Sequence, residues 1–181
     1  MVRHGETEWS KSGQHTGSTD IDLTAEGEAA ARDIRQRLQG ETFDVVLTSP
    51  LRRARRTAEL AGFGDFLEVD ADLREWDYGE YEGRRTVDIR ETIPGWSIWT
   101  HPAEEGESLA EVAARADAVI ARILGVEGRV LVVSHGHFSR VLAARWVTLP
   151  PEAGQHLVLD TAGLGVLGWY RETPVLRRWN A

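Results

Sequence analysis

The sequence has no cysteine, a single lysine and a single methionine, and these shortages close off whole classes of explanation. Without cysteine there are no disulfides and no thiolate zinc sites, and cysteine usage says nothing about redox compartment. With Lys11 alone of its kind, positive charge is almost entirely arginine. That argues against a lysine-rich solvated tail and supplies forked donors that match phosphate. No apolar run reaches membrane-spanning length, and no charged-then-apolar segment opens the sequence; a cytoplasmic protein without membrane attachment is the expectation. A net charge of −8 argues against general affinity for nucleic acid or anionic membrane.

What is present is an ordinary globular composition, 41% hydrophobic and 28% charged over 181 residues, which suits one compact domain. "LTAEGEAAARDIRQRL" (23–38) has helical periodicity, with Thr24 as N-cap and Leu23, Ala30, Ile34 and Leu38 on one face. Gly27 stands where a capping box would place Glu or Gln. "FDVVLTSP" (43–50) reads as a short strand, "LRRARRTAELA" (51–61) as a helix, and 66–85 as a strand running into a Gly-punctuated loop. "ESLAEVAARADAVIARIL" (107–124) opens on a capping box, Ser108 with Glu111. "RVLVVSHGHFSRVLAARWV" (129–147) is strand, polar turn and helix, and "LGVLGWY" with "PVLRRW" forms a hairpin.

Strands alternating with helices imply an α/β fold, a three-layer sandwich whose mostly parallel central sheet is flanked by helices. No linker divides residues 1–181. The stretch 84–106, holding Pro94, Gly95, Trp96, Trp99, Pro102 and Gly106, reads as irregular and as a small cap over one end of the sheet.

Polar residues gather where the strands end, the edge at which open α/β sheets bind ligands. Arg3-His4, Arg52-Arg53, Glu75 and His135 all meet that condition although they are far apart in the chain. If they converge, arginine forks can hold a phosphoryl group and one imidazole can attack phosphorus. The other imidazole can hydrogen-bond an equatorial oxygen, and a carboxylic acid can protonate the leaving group. Gly5 and Gly136 beside the histidines permit close backbone approach. Singly these residues have plainer readings: a frayed terminus, a solvated face for "RRARR", a surface carboxylate, a satisfied strand-end histidine. Their joint occurrence at strand ends favours function. "HGH" (135–137) raises a metal site as rival, but no further ligand follows at close spacing and Arg140 would repel a divalent cation. Neither metal nor cofactor is expected.

The sequence resembles the histidine phosphatase superfamily, the phosphoglycerate mutase-like proteins. The likeness rests on "RHGETEW", "TSPLRRARRTA", "LREWDYGEYEG" and "VVSHGHFSRVL", in the family's order across essentially the whole chain. It implies His4 as the phosphorylated nucleophile, Arg3, Arg53 and His135 as the phosphate pocket, and Glu75 as proton donor. Ser10, Thr16 and Gly17 fall where members of the family contact substrate or the phosphate rim, and Gly136 joins them. The short interval from Glu75 to His135 lacks the insertion of cofactor-dependent mutases, and Arg84, Arg85 and Arg90 do not reproduce their basic pattern. A phosphatase of small phosphorylated metabolites, sugar phosphates or bisphosphates among them, is therefore expected. It is similar to the branch containing broad-specificity acid phosphatases and sedoheptulose-bisphosphatase. A phosphoglycerate mutase is the alternative, and a non-catalytic phosphate-binding module a remoter one. Relatives carry several apolar residues ahead of Arg-His-Gly as a central first strand; only Met1 and Val2 stand here, so a natural start upstream is expected.

Overall fold

The structure is a computed structural model describing residues 1–101 and 103–181; Pro102 of the expected cap lies outside them. Along the chain run β1 (Val2–Arg3), α1 (Glu8–Ser12), α2 (Ala25–Arg37), β2 (Val45–Thr48), α3 (Arg52–Ala58) and β3 (Leu67–Val69). Then follow α4 (Thr86–Thr92), α5 (Leu109–Leu124), β4 (Val130–Ser134), α6 (Gly136–Trp146), β5 (Gly165–Tyr170) and β6 (Thr173–Trp179).

Side chains alternate across a strand, and here the alternation feeds two cores. Val46, Leu131 and Val133 join Ile34 of α2 and Ala54 and Ala58 of α3. Leu47 and Val132 point the other way, into Val112, Ala116 and Val119 of α5 and Phe138, Val141 and Leu142 of α6. The result is helices, sheet, helices: the three layers expected. The four-stranded sheet has order β1-β4-β2-β3 and is parallel throughout, with Val2 opposite Val133, Val46 opposite Leu131 and Val46 opposite Leu67. All four strands therefore end at one edge. β5 and β6 pair antiparallel as a separate two-stranded sheet, joined to β1 by a bridge between Val2 and Leu164.

The caps read from sequence form. Thr24 Oγ1 accepts from Gly27 N–H at 3.0 Å, and Ser108 and Glu111 make both bonds of the capping box. Gly27 has its own reason. A Cβ there would lie 2.1 Å from the Glu6 carbonyl oxygen, and one on Gly5 would lie 2.3 Å from that of Gly27. The loop after β1 thus rests directly on the backbone of α2, and Gly5 serves this packing rather than access for a ligand. Two elements are absent from the sequence reading. α1 is a five-residue helix closed by reciprocal Thr7–Ser10 bonds. α4 breaks the stretch expected to be irregular, burying Ile89 while Trp96 packs on Tyr81 at 4.8 Å between ring centroids.

Candidate active site

The parallel sheet delivers the expected residues to one place. His4 follows β1, its N–H donating to Ser134 O at 2.9 Å, so β4 fixes its backbone. Its ring is buried, with Nδ1 at 2.7 Å from Gly5 O. A carbonyl only accepts, so Nδ1 carries the proton and Nε2 keeps its lone pair. Burial first, then the charges of Arg53 and Arg3, hold this imidazole well below the ordinary histidine range. It is a neutral base with a defined tautomer.

Arg3 donates Nη1 to Leu159 O at 2.7 Å, while its Nε is buried without a partner among the described residues. An orphaned guanidinium donor beside a neutral imidazole is unfavourable unless an anion takes it. Gly136, at the start of α6, lies against this group: a Cβ would come 3.3 Å from Arg3 Cζ.

Glu75 reaches the site from the loop after β3. Its Oε1 accepts from Trp76 N–H at 2.9 Å and Phe138 N–H at 2.8 Å, and its Oε2 from His137 N–H at 3.0 Å. The carboxyl group therefore sits on the amino end of α6, where it satisfies N–H groups that have no partner within the helix. The loop is clamped from behind. Arg115 of α5 donates Nη1 to Asp72 O at 2.6 Å and forms a bidentate pair with Glu107 at 2.7 Å on both arms. Glu107 in turn takes the N–H of Asp77 at 3.0 Å.

Arg53 and His135 stand behind the cavity rather than in its wall. Arg53 is fully buried, giving Nη1 to Thr19 O at 2.8 Å, Nη2 to Thr16 O at 3.0 Å and Gly17 O at 2.9 Å, and Nε to His135 Nδ1 at 3.2 Å. Because Arg Nε only donates, His135 Nδ1 is the acceptor and Nε2–H donates to Ser49 Oγ at 2.7 Å. The two imidazoles are 5.1 Å apart, centroid to centroid. The His135 ring thus bridges Ser49 and Arg53.

The cavity in front has a volume of about 290 Å³ and is lined by Arg3, His4, Ser10, Thr16, Glu75 and Gly136, together with residues the sequence did not single out for binding. These include His15, Tyr78, His137, Arg140 and Asp160. His137 and Arg140 bear in the sequence only on the rival metal site; Tyr78 lies inside the motif "LREWDYGEYEG", and His15 directly precedes Thr16. At the rim, Ser10, Thr16 and Gly17 are engaged within the protein. The Ser10 hydroxyl donates to Thr7 O at 3.0 Å and accepts Thr7 N–H at 2.9 Å, so it caps α1. The Thr16 hydroxyl is turned to Gln14 O at 3.2 Å. Gly17 is outside the lining, and its N–H goes to Glu82 at 2.9 Å. Arg85 pairs with Asp88, Arg90 with Trp96 O, and Arg84 lies over Tyr81; none of the three lines the cavity. In "HGH" the His137 ring meets Tyr78, so the two imidazoles face different partners. A larger space of about 440 Å³ at the other end of the sheet, between Met1, β4 and β5, contains none of these groups.

Comparison with known proteins agrees with the geometry. The family model of the histidine phosphatase superfamily (branch 1) matches residues 1–181. An acid phosphatase from Mycobacterium tuberculosis is 46% identical over 173 residues, which span 93% of this chain and 85% of that protein. A sedoheptulose 1,7-bisphosphatase from Saccharomyces cerevisiae is 38% identical over 182 residues, 82% of this chain and 67% of the other. The solved structure of open reading frame Rv3214 from Mycobacterium tuberculosis superposes with a TM-score of 0.95 at 43% identity, covering 99% of this chain and 94% of that one. The chain belongs to the histidine phosphatase superfamily, branch 1.

Proposed function

We propose that this protein is a phosphomonoesterase that hydrolyses small phosphorylated metabolites, sugar phosphates and bisphosphates among them, through a phosphohistidine on His4. One observation carries the reading. The Nδ1–H of His4 is fixed by Gly5 O, leaving the Nε2 lone pair in a cavity where Arg3 Nε has no partner among the described residues. A nucleophile and an arginine meet in the wall of one small cavity.

Nε2 of His4 attacks phosphorus and the ester P–O bond breaks, the leaving oxygen taking its proton from Glu75. Arg3, from the cavity wall, and Arg53, from behind it, offset the negative charge of the three equatorial oxygens. Water then attacks the phosphohistidine and gives a proton to Glu75, the P–N bond breaks, and inorganic phosphate leaves. His135 acts through Arg53, which it orients; Ser10, Thr16 and Gly136 shape the rim, and Gly17 supports it from outside. Charge is balanced by arginines and the proton by a carboxyl group, so no step calls for a metal. Residues 84–101 and 103–106 serve as the cap of this one domain. The names of the relatives, an acid phosphatase and a bisphosphatase, support ester hydrolysis. We place the protein in the cytoplasm, with soluble substrates; no helix among the described residues is long and apolar enough to cross a membrane.

The test is release of inorganic phosphate from a panel of phosphorylated metabolites in the presence of a chelator. Wild type is expected to release it, and His4→Ala to fall more than about a thousandfold, as removal of a covalent nucleophile does. Unchanged hydrolysis by His4→Ala would overturn the assignment. A mutase would return the phosphoryl group to a bound intermediate and yield an isomerised ester in place of phosphate.

A further inference from the structure

Beyond His4 the cavity opens onto side chains that the hydrolytic steps leave unused. Tyr78 comes from the loop bearing Glu75, His137 from the first turn of α6, and His15 from the loop after α1; Asp160 lies on the same wall. The Tyr78 hydroxyl is 2.7 Å from His137 Nδ1, and the ring centroids are 5.8 Å apart. Tyr78 is only 2% exposed, so its hydroxyl proton needs an acceptor within the protein. Donation to Nδ1 supplies one and leaves the imidazole proton on Nε2.

The charged side chains on this wall are of both signs, Arg140 against Asp160. Burial first, then Arg140, His15 and Arg3, hold His137 well below the ordinary histidine range, and burial lowers His15 to about 4. Both rings are therefore neutral near pH 7. Arg140 is largely committed, giving Nε to Gly154 O at 2.9 Å and Nη2 to Gln155 O at 2.7 Å, with its plane over Trp99 at 4.9 Å. Asp160 Oδ2 takes Asn180 Nδ2 at 2.8 Å, leaving Oδ1 as an acceptor. The rings of His15 and Tyr78, 4.8 Å apart, add flat faces. A neutral N–H donor, a carboxylate acceptor and ring faces together match hydroxyl groups and the C–H face of a polyol.

We propose that His137, oriented by Tyr78, is the specificity-determining donor to the leaving group, and that this leaving group is a polyhydroxylated alcohol of the sugar or polyol class. The inference rests on the phosphatase reading above. His137 touches the leaving group; Tyr78 is a positioning residue that acts through it.

The experiment compares kcat/KM for a hexose phosphate with that for phenyl phosphate, whose leaving group has no further hydroxyls. Tyr78→Phe and His137→Leu are expected to lower the hexose-to-phenyl ratio about tenfold, mainly through KM, the worth of one buried hydrogen bond. His137→Gln, which returns an N–H donor, is expected to recover most of the ratio. A ratio within twofold of wild type in both Tyr78→Phe and His137→Leu would overturn the proposal while leaving the phosphatase reading intact. Failure of His137→Gln to recover the ratio would overturn the donor role. If wild type hydrolyses neither ester, both readings fall.

Discussion

At the scale of single residues, the decisive quantity is the protonation of His4. Its imidazole attacks only when neutral, and burial together with Arg53 and Arg3 keeps it neutral well below pH 6.5. The sign follows directly: a lowered value moves the loss of nucleophile to lower pH. In a kcat/KM profile, corrected for ionisation of the substrate phosphate near about 6, the acid limb assigned to His4 is expected well below 6.5. A limb at or above that value would contradict the neutral, arginine-flanked ring. The converging residues Arg3, His4, Arg53, Glu75 and His135 were legible because each stands at or just beyond a strand end, and parallel strands share that edge. Which of them faces the ligand was not legible. Arg53 is withdrawn by carbonyls of Thr16, Gly17 and Thr19. The segment bearing those carbonyls is held by Glu82, 65 positions along the chain from Gly17, whose carboxylate accepts the N–H groups of Gly17 and Thr19, a pairing that no local pattern encodes.

Elements with local signals formed as read. α2 and α5 carry their caps in their own first turns, and β4 is a continuous apolar run between two helices. α1 and α4 escaped for the opposite reason. α1 is too short for periodicity, and the N-cap of α4, Arg85, makes no side-chain cap bond. The missing capping-box residue at Gly27 is explained by its contact with the loop that carries His4. Gly27→Ala would drive a Cβ to 2.1 Å from Glu6 O, and an overpacked backbone contact of this kind costs about 1–3 kcal/mol. Thermal unfolding is expected to drop by about 2–4 °C per kcal/mol for a domain of this size. An unchanged midpoint would mean that α2 can move away freely, contrary to the packing described.

Over the whole molecule, the site concentrates neutral histidines, His4 and His135 buried and His15 and His137 half-buried. His4, His135 and His137 are held well below 6.5, and His15 at about 4, in each case chiefly by burial. Above pH 6.5 the folded and unfolded chains both leave these rings neutral, and the stability is fully present. As pH falls below 6.5, the unfolded chain binds protons that the folded one refuses. Stability then declines by up to about 1.4 kcal/mol per pH unit for each such ring. Urea unfolding at pH 5 is therefore expected to give a lower free energy than at pH 7, and equal values would count against the burial of these rings. The same arrangement makes the nucleophile available, so the chemistry can be caught in the act. Wild type mixed with substrate, quenched at alkaline pH and digested, is expected to show a phosphoryl group on Nε2 of His4 by peptide mass spectrometry and phosphorus NMR. Turnover with His4 unmodified, or with the phosphoryl group on another residue, would contradict it.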